Sequence, residues 1–309
     1  MIIIRGLHNL PDINCQLFIT IGNFDGVHLG HKKIIHYMKK KAQEKKAHTM
    51  VISFSPHPAR VLSQSPHLGL ISTLTEKMKI LSELGIDFFL ILRFTTQFAA
   101  LRAEEFIEEV LYKRLHSKEI FLGEYHTFGY NNRGSTELLK RIAEKYGFTV
   151  NKVGEVFIDG QRVSSSIIRA YLEDGKIHEA NKYLGRPYSL TGRVIHGSGR
   201  GKKLGYPTAN LALKDQLLPA SGVYVARIAF NSHIFNGVVN IGTRPTFQEN
   251  DIIVEIYIFN YTGNLYRKKI KIEILKRLRE EITFHAPSDL IQQIKDDISK
   301  AQQWMRERN

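Results

Sequence analysis

The sequence has one cysteine, Cys15, and therefore cannot close a disulfide within the chain, which fits a reducing compartment. It has no apolar run near the ~20 residues that a membrane-crossing helix needs. Its first residues, Met1-Ile2-Ile3-Ile4-Arg5, are too short for the core of a signal peptide, so the expected location is the cytoplasm. It has no internal repeat, no low-complexity segment and no G-x-x-x-x-G-K-[ST] phosphate loop. Acidic residues are few, 30 against 44 Lys and Arg, for a net charge of +14. What remains is ordinary for a folded protein: 43% hydrophobic and 24% charged residues over 309 positions, which excludes disorder and suits about two domains.

The excess charge is spread over both halves. Residues 1–183 hold 25 Lys and Arg against 19 Asp and Glu, and residues 184–309 hold 19 against 11. Neither half has a polybasic tail. Such a balance suits phosphorylated ligands such as ATP, and would also suit RNA. The densest run, Lys39-Lys40-Lys41 to Lys45-Lys46, lies opposite Ile34, Ile35, Met38 and Ala42, and reads as the solvated face of a helix.

In the first half, strand and helix patterns alternate. Phe18–Ile21, Met50–Phe54, Phe88–Phe94 and Glu119–Leu122 read as buried strands. Helices are expected at 28–46, at 76–84 with Thr75 as N-cap and Gly85 as stop, at 103–115, and at 136–146 before Gly147. This is the pattern of a doubly wound parallel α/β domain. After Leu184-Gly185-Arg186-Pro187 the pattern changes to strands without helices, at 191–196, 222–230, 233–241, 253–260 and 268–275. Asn231-Ser232, Thr243-Arg244-Pro245 and Thr262-Gly263-Asn264 read as the turns between them, which implies an antiparallel barrel or sandwich. A last helix, capped by Ser288, carries the apolar stripe Leu290, Ile294, Ile298, Ala301 and Met305 and should pack on the barrel. The expected domains are 1–183 and 184–309.

Two segments of the first half carry chemistry. Gly22-Asn23-Phe24-Asp25-Gly26-Val27-His28-Leu29-Gly30-His31 takes the chain from a strand through a turn into a helix. His28 and His31, three apart, share a face of the first turn beside unpaired N–H groups and the positive end of the helix dipole. Gly30 lets a phosphate approach the backbone. Far along the chain, Val163-Ser164-Ser165-Ser166-Ile167-Ile168-Arg169 offers hydroxyls, N–H groups and an arginine as a second phosphate grip. Three serines before a helix are on their own only a cap; paired with H-x-G-H they read as a site.

In the second half, Gly197-Ser198-Gly199-Arg200-Gly201-Lys202-Lys203-Leu204-Gly205 is a glycine-rich basic loop able to fold over phosphates. Pro207-Thr208-Ala209-Asn210 comes directly after it with a fixed turn, a hydroxyl able to ligate Mg²⁺, and an amide.

The first pair of segments resembles the FMN adenylyltransferase domain of prokaryotic bifunctional FAD synthetases, a branch of the H-x-G-H nucleotidyltransferases. Phe54-Ser55-Pro56-His57-Pro58, Leu122-Gly123-Glu124, Phe128-Gly129 and Leu184-Gly185-Arg186-Pro187-Tyr188 match as well. The loop with Pro207-Thr208-Ala209-Asn210 resembles the G-x-P-T-A-N signature of riboflavin kinases. Leu218-Pro219, Gly222-Val223-Tyr224, the run from Asn240 to Phe247, and Val254-Glu255 continue that likeness.

The resemblance implies that the chain phosphorylates riboflavin with MgATP and adenylylates the resulting FMN with a second ATP, releasing pyrophosphate. It implies that His28 and His31 stabilise the ATP phosphates, that Asn23 assists, and that Ser164, Ser165 and Arg169 hold the pyrophosphate. It makes Glu255 the base on the riboflavin hydroxyl, since an alcohol, unlike a phosphate, must lose a proton. Thr208 and Asn210 would hold Mg²⁺ and phosphates; Gly199, Gly201 and the basic side chains Arg200, Lys202 and Lys203 would touch ATP. Tyr125 and His126 depart from the family, which there has Asp or Asn and then an aromatic residue. A kinase with an altered transferase half is therefore the alternative enzyme reading. An RNA-binding protein, supported by charge alone, is the alternative of another class; neither nucleic acid nor a membrane is the expected partner.

Overall fold

The computed structural model describes the chain except for residues 14, 63–67, 131–133, 198, 200, 202–203, 246–249, 285 and 309, and of 243–245 and 250–252 only the backbone. Two compact units result, Met1–Ser165 and Ser166–Asn309.

The first unit is built on six parallel strands: β1 (Ile2–Arg5), β2 (Leu17–Ile21), β3 (His48–Ser55), β4 (Phe88–Arg93), β5 (Glu119–Gly123) and β6 (Thr149–Val153), in the order β1-β4-β3-β2-β5-β6. Alternate strand residues face opposite ways, and both faces are covered. Phe18, Val51, Phe89 and Phe121 pack under α1 (Leu29–Glu44) and α3 (Leu74–Glu83), with a short α2 (Pro58–Leu62) between them in sequence. Ile19, Ile52, Leu90 and Ile120 form the core of the opposite face, the side of α4 (Thr96–Ala99), α5 (Ala103–Glu105) and α6 (Thr136–Tyr146). A small hairpin, β7 (Phe157–Ile158) with β8 (Gln161–Arg162), leads to the end of the unit. This is the doubly wound sheet that the alternation implies.

Some local expectations change. The N-cap of α3 is Thr73, whose hydroxyl accepts from the Glu76 N–H at 3.1 Å, so the helix begins earlier than a cap at Thr75 allows. The helix expected at 103–115 is one short α turn, α5, running into a π-helix at Phe106–Arg114. There Val110 O accepts from Leu115 N, five residues on. Gly147 closes α6 in the left-handed conformation, φ 72°, as expected of a helix-ending glycine.

The second unit begins with two helices, α7 (Ser165–Glu173) and α8 (Ile177–Leu184), the first of them starting at the boundary itself. Contacts tie α8 to the C-terminal half: the Asn181 carboxamide donates to Ile274 O at 2.9 Å and accepts from Tyr188 N. The packing boundary therefore falls at 165/166 and differs from the expected 183/184. Six strands then close a barrel in the order β10-β13-β12-β11-β14-β9. They are β9 (Tyr188–Ile195), β10 (Ala209–Ala212), β11 (Gly222–Phe230), β12 (His233–Pro245), β13 (Asn250–Ile258) and β14 (Lys269–Arg279).

Asn231 and Ser232, at φ 49° and 62°, form the tight β11–β12 turn that the sequence marks. Thr243-Arg244-Pro245 is not a turn, because β12 runs on through it, paired with residues 250–252. The C-terminal helix, Pro287–Arg306, starts with Pro287 in its first turn and Ala286 as N-cap, so Ser288 does not cap it. Ala301 and Met305 bury against Val223, Val225 and Val238 on the outside of the barrel, which is where the apolar stripe belongs.

Candidate functional site

At the end of β2, which is buried at all five positions, the chain makes a turn it would not choose freely. Phe24 (φ 48°) and Val27 (φ 40°) are both left-handed. For a β-branched residue this costs on the order of 1–3 kcal/mol and persists only where the surroundings enforce it. They do so here. Both side chains are buried, and the Asp25 carboxylate accepts from the N–H groups of Ile71 (3.2 Å) and Ser72 (3.1 Å). Ser72 Oγ in turn accepts from Gly26 N–H at 2.9 Å.

The turn delivers His28 to the N-cap of α1, where its Nδ1 accepts from the His31 N–H at 3.4 Å. The two rings stack at 3.6 Å and 20°. A Cβ on Gly30 would come within 3.1 Å of the His28 ring, so the glycine of H-x-G-H also makes room for its neighbour. The serine segment reaches the same place: Ser165 Oγ donates to Asp25 O at 3.0 Å, across 140 residues of chain.

Asn23, His28, Gly30, His31, Ser164 and Ser165 all line one cleft of about 820 Å³. Arg169 lies farther along α7 and belongs to the second unit. Part of the cleft wall is aromatic: Phe54, Phe98, Phe106 and Phe128 line it, with neighbouring ring centroids 5.8–6.1 Å apart. Phe98 and Phe106 lie outside every motif, and only their aromatic character hints at them.

The electrostatics of this cleft favour neutral imidazoles. His31 is held well below its usual value, first by burial and then by His28, Lys77 and His126. His126 is lowered to about 4 by burial, for although the residue is only partly covered its Nε2 is out of water and without a partner. Tyr125, by contrast, is 69% exposed, with the Arg162 guanidinium 5.7 Å from its ring centre.

The barrel has its own cavity of about 310 Å³, lined among others by Gly201, Thr208, Asn240, Glu255, Arg279 and Glu281. Glu255 pairs in register with Asn210 on β10 and with Asn240 on β12. A Cβ on Gly201 would meet Thr208 Oγ1 at 2.9 Å as well as the Tyr206 carbonyl, and one on Gly197 would collide with the Asn210 carboxamide. Both glycines therefore permit close packing of the loop on the P-T-A-N segment.

Asn210 is buried in β10 rather than in a loop, and neither it nor Gly199 lines the cavity. Lys202, like Arg200 and Lys203, lies outside the described residues. Sequence reasoning passed over Arg279, whose guanidinium holds Asp297 of the C-terminal helix by three bonds of 2.7–3.0 Å. The available signal was a charged residue, Asp297, set within the apolar stripe between Ile294 and Ile298.

A family model described as FAD synthetase matches residues 10–167, and one described as riboflavin kinase matches residues 184–305. The curated bifunctional riboflavin kinase/FMN adenylyltransferase of Buchnera aphidicola from Schizaphis graminum is 38% identical over 96% of this chain and 97% of its own length. The chain belongs to this bifunctional family. The Escherichia coli K12 relative is 34% identical over 98% of both chains, and that of Bacillus subtilis 35% identical over 95% and 94%. A crystal structure described as a macrolide-efflux protein from Streptococcus pneumoniae has the same fold, with 30% identity and a TM-score of 0.88 over 96% of this chain and 97% of that one. Among the described residues of this family member, no helix is long and apolar enough to cross a membrane.

Proposed function

We infer that the chain converts riboflavin and ATP to FMN in the barrel, and FMN and a second ATP to FAD and pyrophosphate in the α/β unit. The observation that carries this reading is the pair of separate cavities, each lined by the motif residues of one half of the family.

In the barrel, Glu255 is proposed as the base that takes the proton from the riboflavin hydroxyl as it attacks the γ-phosphorus of ATP, the bond from that phosphorus to the bridging oxygen breaking and ADP leaving. Support comes from its place on the cavity wall between two amides. The donors nearby are hard oxygens, a hydroxyl on Thr208, which lines the cavity with Gly201 packed closely beside it, and a carboxamide on Asn210. That set fits Mg²⁺, which takes few protein ligands and completes its shell with phosphate and water. Thr208, on the cavity wall, would hold the ion, Asn210 being assigned to it on the resemblance alone, and the charge would neutralise the phosphates as they part. Among the described residues no cluster of three His, Cys, Asp or Glu competes as a metal site.

In the cleft, the attacking FMN phosphate is already ionised and needs no base, so the work is positioning and charge stabilisation. His28 and His31 are proposed to donate hydrogen bonds to the ATP phosphates, with Asn23, Ser164 and Ser165 around them. Arg169 is assigned to the pyrophosphate on the resemblance alone. The aromatic wall offers a flat surface for the flavin ring. A catalytic division at 183/184 is proposed with this reading, as is a cytoplasmic setting for the free thiol of Cys15.

The test is incubation with riboflavin and MgATP, then chromatography. FMN and then FAD should appear. FMN without FAD would support the reading with an altered transferase, and neither product would sink the assignment.

A further inference from the structure

Behind the turn that presents the two histidines lies a buried ammonium. Lys77 of α3 is 6% exposed, which is rare for lysine unless something holds it there. Its Nζ donates to the main-chain carbonyl of Asn23 and, at 3.3 Å, to Ser53 Oγ, and Ser53 Oγ donates to that same carbonyl at 3.0 Å. Asp25, 2% exposed and fixed by Ile71 and Ser72, is the carboxylate that attracts it. One segment of chain, from Ile71 to Lys77, thus grips the strained turn on both sides of Phe24.

A brace alone does not call for a charge. A neutral donor could hold one carbonyl without the cost of desolvating an ammonium, and that cost is real here: burial lowers Lys77 to about 8. The charge acts beyond its hydrogen bonds, because it is one of the causes that depress His31.

We propose that Lys77 is a positioning residue for adenylyl transfer, locking the turn through the Asn23 carbonyl and setting a fixed positive charge behind His31 at the phosphate end of the cleft. This rests on reading the cleft as the site of FAD formation. In that reaction an FMN phosphate oxygen bonds to the α-phosphorus of ATP, the bond from that phosphorus to the bridging oxygen breaks, and pyrophosphate leaves with the electron pair. Lys77 transfers no proton. It offers charge that is already in place when the leaving group becomes more negative, in a setting where water does not screen it.

The groups that face Lys77 and His31 are Asp25 on the turn, His28 on α1 and His126 after β5. Removing the cation should therefore let His31 take up a proton at higher pH than in the wild type. The experiment compares the full-length wild type with Lys77→Met and His31→Ala. FAD formation is measured from FMN and MgATP, FMN formation from riboflavin, and the His31 titration by NMR.

For Lys77→Met the expected result is a fall in kcat for FAD formation of about tenfold or more, a much smaller change in KM for ATP, and FMN formation as in the wild type. The imidazole of His31 should titrate at higher pH. The wild-type rate should decline as pH rises through about 8, and Lys77→Met should lack that decline. A Lys77→Met enzyme with wild-type kcat and the same alkaline decline overturns the proposal. If that variant does not fold, Lys77→Gln decides, and a wild-type kcat for FAD formation with an unmoved His31 titration in it overturns the proposal. Full FAD formation by His31→Ala would instead remove the reading of the cleft.

Discussion

Asn210 and Glu255 face each other across β10 and β13, in register and on the same side of the barrel wall. On the other flank Asn240 takes the equivalent place against Glu255. Side chains so paired lie about 5 Å apart at Cβ, close enough for both amides to orient one carboxylate.

Glu255→Gln keeps the shape and the pairing but removes the proposed base. FMN formation should fall by about 10²–10⁴-fold while riboflavin still binds. FAD formation from supplied FMN should be unchanged. Assaying the two steps separately checks this, and a near wild-type kinase rate would take Glu255 out of the mechanism.

His28→Ala or His31→Ala should abolish FAD formation and leave FMN formation near normal, because the H-x-G-H turn and the barrel cavity belong to different units. Equal loss of both products in a protein with an intact circular dichroism spectrum would contradict that.

Acid should weaken the α/β unit. His126 stays neutral down to about 4 and His31 is depressed too, whereas in the unfolded chain both take up protons near 6.5. Between those values the unfolded state binds more protons, so stability falls as pH drops from about 6.5 towards 4. At about 1.4 kcal/mol per pKa unit, His126 sets a ceiling of roughly 3 kcal/mol, reduced by its partial exposure. Urea midpoints measured from pH 7 to 4.5 should show the slope, and His126→Phe should flatten it. An identical slope in that variant would assign the effect elsewhere.

Asp297→Ala leaves the Arg279 guanidinium without its carboxylate, between β14 and the C-terminal helix. Breaking a buried pair from one side costs about 3–5 kcal/mol. The barrel should melt at lower temperature, as read from the fluorescence of Trp304, the single tryptophan, which lies on that helix. Adenylyl transfer should survive at temperatures below that melt. An unshifted transition would show that the ion pair does not hold the helix.

Much of this protein was legible from periodicity. The change from strand–helix alternation to strands alone gave two architectures, and the histidine and P-T-A-N motifs fell in or beside the two cavities. The failures have physical causes. β10 is four residues long and shares its sequence with a motif, so its pairing with β9 and β13, not its pattern, makes it a strand. Thr243-Arg244-Pro245 has turn composition but is held extended by its β13 partners. Thr73 and Thr75 are equivalent caps by composition, and packing chose between them. Lys77 stands in an ordinary helix sequence, and nothing local shows that the turn after β2 covers it.

Each cavity is lined, among the described residues, by one unit alone. Two enzymes joined in one chain are made in equal number at every translation, whatever the cell requires of either product. Expression cannot then set the ratio of FMN to FAD. That ratio must come from the turnover and saturation of the two sites and from the use of FMN elsewhere. Mutations that act on one unit and spare the other, whether in its cavity or behind it, become the hereditary means within this chain of adjusting the balance between the two flavin nucleotides.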